Sequence, residues 1–101
     1  MKVAKLSEAQ LEQQLATLSD WELADGKLHR RLVFKDFVEA FEFMGRVARI
    51  AEDMNHHPEW SNVYNRVVVD LVTHDAGGIT ELDFELASRV EEIATALRAS
   101  R

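Results

Sequence analysis

Cysteine is absent from this 101-residue chain, proline occurs once and glycine four times. Without cysteine there is no disulfide framework and no thiolate zinc site, a composition compatible with the reducing cytoplasm. So few helix and strand breakers leave no linker, repeat or low-complexity stretch, and residues 1–101 read as one compact domain. Positive charge is in deficit: 12 Lys and Arg stand against 18 Asp and Glu, for a net charge of −6. A surface of that sign repels phosphate backbones, so direct nucleic-acid binding is not expected. Nor is membrane binding expected, because there is no basic amphipathic stretch and no run of ~18 apolar residues that could span a bilayer. The first twenty residues mix polar and apolar positions with no hydrophobic run after the basic start, so no secretory leader is expected and the cytoplasm is the expected location.

What remains is an ordinary folding composition, 47% hydrophobic and 30% charged. A core of this size buries a modest share of the chain, and self-association would add to it. Ser7 and Gln10 have capping-box spacing, flanked by Leu6 and Leu11 as a staple, and predict a helix over about 7–18. Asp25-Gly26 predicts a hairpin turn between strands at about 21–24 and 27–34. Asp36 and Glu39 open a helix over about 37–54. Its two apolar stripes are Phe37, Phe41, Met44, Ala48 and Ala51, and beside them Phe43, Val47, Ile50 and Met54. Pro58 disfavours helix at His57 and closes it. Alternation then predicts a second hairpin, turning at Asn65-Arg66 and running through Val67–Val72 to a last strand residue at His74. After the Asp75-Ala76-Gly77-Gly78 loop, Thr80 caps a helix over about 81–98, with Asp83 in its first turn. Phe84 lies off that helix's apolar stripe and reads as a subunit contact. The order α-β-β-α-β-β-α predicts an α+β two-layer domain, a four-stranded antiparallel sheet covered on one face by helices.

Three of the four histidines fall at element ends. His56 and His57 sit where the long helix gives way to a strand, and His74 lies just before the glycine loop. Side chains so placed can converge on a cleft, and imidazole exchanges protons near neutral pH. Glu52, one helical turn before His56, is placed to support it. Each has a plainer reading: a polar helix terminus for His56-His57, a strand-end residue for His74, a solvated surface residue for His29 beside Arg30 and Arg31. Three histidines and a carboxylate also suggest zinc. However, adjacent residues of an extended segment point to opposite faces and no His-x-x-x-His spacing is present, so no metal site is expected.

The run Glu52-Asp53-Met54-Asn55-His56-His57-Pro58-Glu59-Trp60-Ser61-Asn62-Val63-Tyr64 resembles the signature of the pterin-4a-carbinolamine dehydratases. That signature has an acidic residue four before a His-His-Pro, an aromatic six after the proline, a histidine ten beyond it and an aspartate nine later. Glu52, Tyr64, His74 and Asp83 fill those places. Thr73–Gly78 resembles the family's loop, and Asp36–Ala51 its preceding helix.

The resemblance implies a hydro-lyase that removes water from 4a-hydroxytetrahydropterin to give quinonoid dihydropterin, recycling the cofactor of aromatic amino-acid hydroxylases, with no metal or organic cofactor. Carried over by position, His56 and His74 are the acid–base pair, in an order the sequence leaves open, and His57 orients the pterin. Glu52 supports His56, Trp60 walls the pocket, and the backbone near Thr73 bonds the pterin edge. Asp83 ties down the loop behind His74. Asn55 stands where many members carry aspartate, which keeps the hydrogen-bonding shape without the charge. The resemblance further implies a homodimer or homotetramer, with Phe84 and the second apolar stripe of the long helix as contacts, and a hydroxylase as a partner. The competing expectation is a non-catalytic binding module, since relatives also serve as a transcription-factor dimerisation cofactor or as assembly factors.

Overall fold

The computed structural model describes residues 3–99. Its elements are α1 (Glu8–Leu15), β1 (Glu22–Ala24), β2 (Lys27–Val33), α2 (Phe37–Met54), β3 (Glu59–Val63), β4 (Arg66–Leu71), a 3-10 turn (His74–Ala76) and α3 (Glu81–Ala99). The strands form one antiparallel sheet in the order β1-β2-β4-β3. Leu28 and Leu32 of β2 and Val67, Val69 and Leu71 of β4 are buried under the helices. This is the expected two-layer α+β arrangement.

Local chemistry explains the boundaries. Ser7 and Gln10 exchange side chain-to-backbone bonds, at 3.2 and 2.9 Å, as a capping box. The helix stops at Leu15 rather than 18, because Thr17 and Leu18 donate to Gln14 and Leu15 and tighten the last turn. Asp25 and Gly26 both have positive φ, the geometry of a two-residue hairpin turn that matches strand twist. At the head of α2, Asp36 accepts from Glu39 N, and Glu39 accepts from Lys35 N.

Ala40, Phe43, Val47 and Ala51 form the buried face of α2, with the Phe34 and Phe43 rings 4.8 Å apart. That aromatic contact fixes the helix's rotation and corrects one expectation. The stripe read as a subunit contact, Phe43 to Met54, is core, whereas Phe37, Val38 and Phe41 are exposed. Phe84 is likewise core, at 5% exposure, and not a subunit contact. Trp21 donates to Glu91 of α3 at 2.8 Å, and Arg30 reaches the same carboxylate at 2.6 Å.

Two further expectations shift. The second hairpin turns at Tyr64-Asn65, not Asn65-Arg66: Arg66 pairs with Val63 and Val33, Tyr64 takes the positive φ, and Asn65 is bonded through backbone and side chain to Phe34. β4 ends at Leu71, short of His74. Thr73 and Gly78 bond each other reciprocally and turn the chain out of the sheet. Leu6 N donates to Ile79 O at 2.9 Å, tying the segment before α1 to the end of this loop. His29 is no free surface histidine: β2–β4 register sets it opposite Asp70, with 2.7 Å between Nδ1 and Oδ1.

Candidate functional site

α2 cannot continue past Met54, and Asn55 caps it in the left-handed region at φ 51, ψ 42. Asparagine tolerates that conformation better than most residues. The reversal sends the next two side chains in different directions. His56 turns inward beneath the sheet end, while His57 stays at the surface before Pro58. From the other side the Thr73–Gly78 loop brings His74. The three histidines meet at a cleft of about 240 Å³ lined by Asn55, His56, His57, Val72, Thr73, His74 and Asp75. A larger recess of about 620 Å³ adjoins it, sharing Asn55, Thr73 and Asp75 and bounded outside by Val3, Ala4 and Lys5.

Each imidazole is held by a different carboxylate, always through Nε2. His56 Nε2 lies 2.5 Å from Asp83 Oδ1, His57 Nε2 is 2.8 Å from Glu52 Oε1, and His74 Nε2 is 2.9 Å from Glu59 Oε2. A carboxylate at Nε2 favours the proton there and leaves Nδ1 for other work. Asp83 takes Nε2 of His56, and among the described residues no side-chain bond engages its Nδ1.

Asp83 is wholly buried, where an uncompensated carboxylate is costly. Its other oxygen accepts from Thr80 N and from Thr73 Oγ1, both at 2.9 Å. One side chain thereby joins the start of α3, the histidine loop and His56. Glu59 is exposed and different in kind. Lys27 bonds its Oε1 at 2.5 Å, and this bond first, the bond to His74 second, holds the Glu59 carboxyl below its ordinary range. Lys27 is raised in return, chiefly by the same bond to Glu59.

His56, His57, His74, Asn55 and Thr73 are thus brought together. One supporting position differs from expectation. Glu52 pairs with His57 rather than His56, because the turn at Asn55 swings His56 away towards Asp83. Trp60 lines an adjoining groove with Pro58, Ala48 and Arg49, and this groove shares His57 with the cleft. The Thr73 backbone closes its own loop, its N–H donating to Gly78 O and its carbonyl accepting from Ala76 and Gly78. Asp83 does secure the loop, through Thr73, and also holds His56. Sequence reasoning missed Glu59 and Val72: the register of β3 on β4 sets Glu59 beside the end of β4, and Val72 follows that end directly into the cleft wall. Among the described residues no three His, Asp or Glu side chains are grouped to hold a metal ion, and no helix is long and apolar enough to cross a membrane.

Comparison with known proteins gives a consistent result. A sequence model of the family described as Pterin 4 alpha carbinolamine dehydratase matches residues 4–93. A Solibacter usitatus protein named provisionally as a pterin-4-alpha-carbinolamine dehydratase is 54% identical over 90 residues, 89% of this chain and 95% of that protein. A Chelativorans protein with the same provisional name is 52% identical over 92 residues, 89% of this chain and 94% of its own. Among solved structures, a Brucella melitensis protein described as a transcriptional coactivator/pterin dehydratase superposes with a TM-score of 0.86 at 44% identity, covering 89% of this chain and 98% of that one. A pterin dehydratase-like protein identified as a RuBisCO assembly factor in the alpha-carboxysome shares the fold, with a TM-score of 0.61 at 21% identity over 73% of this chain and 86% of its own.

Proposed function

The chain belongs to the pterin 4 alpha carbinolamine dehydratase family, and from that premise we propose that it dehydrates a 4a-hydroxytetrahydropterin to quinonoid dihydropterin and water. The observation that carries the reading is the convergence of His56, His57 and His74 on one cleft, each gripped through Nε2. Dehydration needs a proton delivered to the 4a-hydroxyl as its carbon–oxygen bond breaks. A second proton must leave the adjacent ring nitrogen, whose electrons form the new double bond to the 4a carbon. Two imidazoles on different sides of a flat ring can serve both needs.

His56 is suited to take the ring proton through Nδ1, since Asp83 at Nε2 steadies the imidazolium that results. His74, open to water, is suited to deliver the other proton and to be recharged from solvent. His57, oriented by Glu52, is placed to hold the ring. The histidine cleft falls below the ~300–1,000 Å³ typical of a ligand pocket. It has room for the reacting ring, and the adjoining recess has room for the substituent.

The test is turnover of freshly generated 4a-hydroxytetrahydropterin. Replacing His56 or His74 with alanine is expected to lower the rate by about 10²-fold or more, and a chelator is expected to leave the wild-type rate unchanged. Wild-type rates in both variants would reject the assignment.

A second reading, a protein-binding surface, is favoured by the exposed Phe37, Val38 and Phe41 on α2. The Brucella relative's description as a coactivator points the same way. A second copy of the chain suits this stripe, giving a homodimer or homotetramer. Sedimentation of Phe41→Glu is expected to show a smaller species than wild type, and an unchanged mass would exclude the stripe as the contact.

A further inference from the structure

Of the three carboxylates that hold the site histidines, Glu59 is the one no motif singled out, and it is bonded on both oxygens. Oε2 meets His74 Nε2, while Oε1 meets Lys27 Nζ. Lys27 belongs to β2 and Glu59 to β3, strands separated by β4. Across the sheet, His29 pairs with Asp70 and Asp70 with Glu59 in register, so Lys27 reaches Glu59 diagonally over the end of β4. β4 stops at Leu71, just before Val72 enters the cleft wall. The Asp25-Gly26 turn sets Lys27 at the first position of β2, and Pro58 constrains the backbone directly before Glu59. Both ends of this bridge are therefore anchored by backbone features, unlike an ordinary surface ion pair.

We propose that Glu59, braced by Lys27, is a positioning residue that holds His74 with its proton on Nε2 and thereby presents Nδ1 to the substrate. The proposal rests on the dehydratase reading for its catalytic consequence and on the three-residue bridge for its structural one. Its chemistry is that of the orienting carboxylate, which fixes the tautomer and heading of a histidine without touching substrate. The lowered pKa of Glu59, caused chiefly by Lys27, keeps it an acceptor through the range in which imidazole titrates.

Two readouts test it together. Nitrogen-15 NMR of the neutral His74 ring reports the tautomer, and steady-state kinetics reports turnover. Wild type is expected to show the Nε2–H form. Glu59→Ala is expected to move the signal towards Nδ1–H and lower kcat about threefold, with KM changed less. Glu59→Gln has a single acceptor oxygen, which Lys27 claims, so its amide N–H faces Nε2 and it is expected to move the signal towards Nδ1–H at least as far as Glu59→Ala. Lys27→Ala is expected to shift the tautomer in the same direction as Glu59→Ala, by less. A His74 signal identical in wild type and Glu59→Ala would overturn the proposal. If the tautomer moves as expected while the wild type shows no dehydration, the bridge stands and the dehydratase reading fails.

Discussion

His56 and His74 face the same cleft, yet the carboxylates behind them sit in opposite surroundings. The His56 and Asp83 side chains are 9% and 0% exposed, and Asp83 also accepts from Thr73 and Thr80. The His74 and Glu59 side chains are 73% and 43% exposed, and Glu59 is shared with Lys27. The buried anchor joins three elements and cannot be removed without leaving donors unpaired, so it supports the fold as well as the site. The exposed anchor can be removed with little structural cost, so its effect should be confined to the histidine it holds. One cleft thus combines a grip that is part of the core with one laid on the surface.

The sharpest way to break this comparison is Asp83→Asn. The amide can still accept from Thr73 and Thr80 but offers an N–H to His56 Nε2, which favours the opposite ring tautomer. A kcat fall of roughly 10²-fold or more is expected with the fold retained, checked by turnover together with a proton–nitrogen correlation spectrum. Asp83→Ala should go further and destabilise the protein by about 3 kcal/mol, read from urea unfolding. Both losses should greatly exceed the threefold effect expected for Glu59→Ala.

Salt sharpens the contrast. At about 1 M salt the Debye length is ~3 Å. The kinetic difference between wild type and Glu59→Ala should shrink there, while that between wild type and Asp83→Asn persists. Equal salt dependence of the two would show that exposure does not distinguish the anchors.

The smallest effect concerns pH. Glu59 has a folded-state pKa below its ordinary 4.5, chiefly because of the bond from Lys27. Its contribution is therefore present above that ordinary value and is lost as pH falls through the lowered one. Lys27, raised above its ordinary 10.5 by the same bond, contributes below that value and loses its contribution as pH rises through the raised one. The bridge should therefore persist across the neutral range. Lys27→Gln should raise the Glu59 titration towards 4.5, followed by carbon-13 NMR of the carboxyl.

Much of the fold was legible because local chemistry and tertiary packing agree. Asp36 and Pro58 bracket α2, and its bounds follow as read. Asp25-Gly26 turns where its φ preferences require. The histidines could be nominated together because each lies where an element ends. What was not legible depends on relations between elements. Glu52 looked like a partner for His56 by helical spacing, but the single left-handed residue Asn55 decides which histidine stays near it. Glu59 could not be linked to His74 without knowing where β4 stops and how β3 pairs with it. Phe84 looked exposed because one helix's periodicity shows its apolar stripe and not what the rest of the fold packs beside it. The rotation of α2 was similarly undetermined until Phe34 met Phe43.

The bond from Leu6 N to Ile79 O has a consequence for where the amino-terminal segment ranks among the parts of this protein. Leu6 precedes the first helix, but its amide moors the outgoing end of the loop that begins at Thr73 and carries His74. Thr73 and Gly78 close that loop at its base, and the Lys5 side chain lies over Gly78, where a Cβ would meet Lys5 Cε at 2.8 Å. Lys5 and Leu6 are therefore the outer hinge-pin of an imidazole far along the chain, and loosening them would be felt first at the cleft.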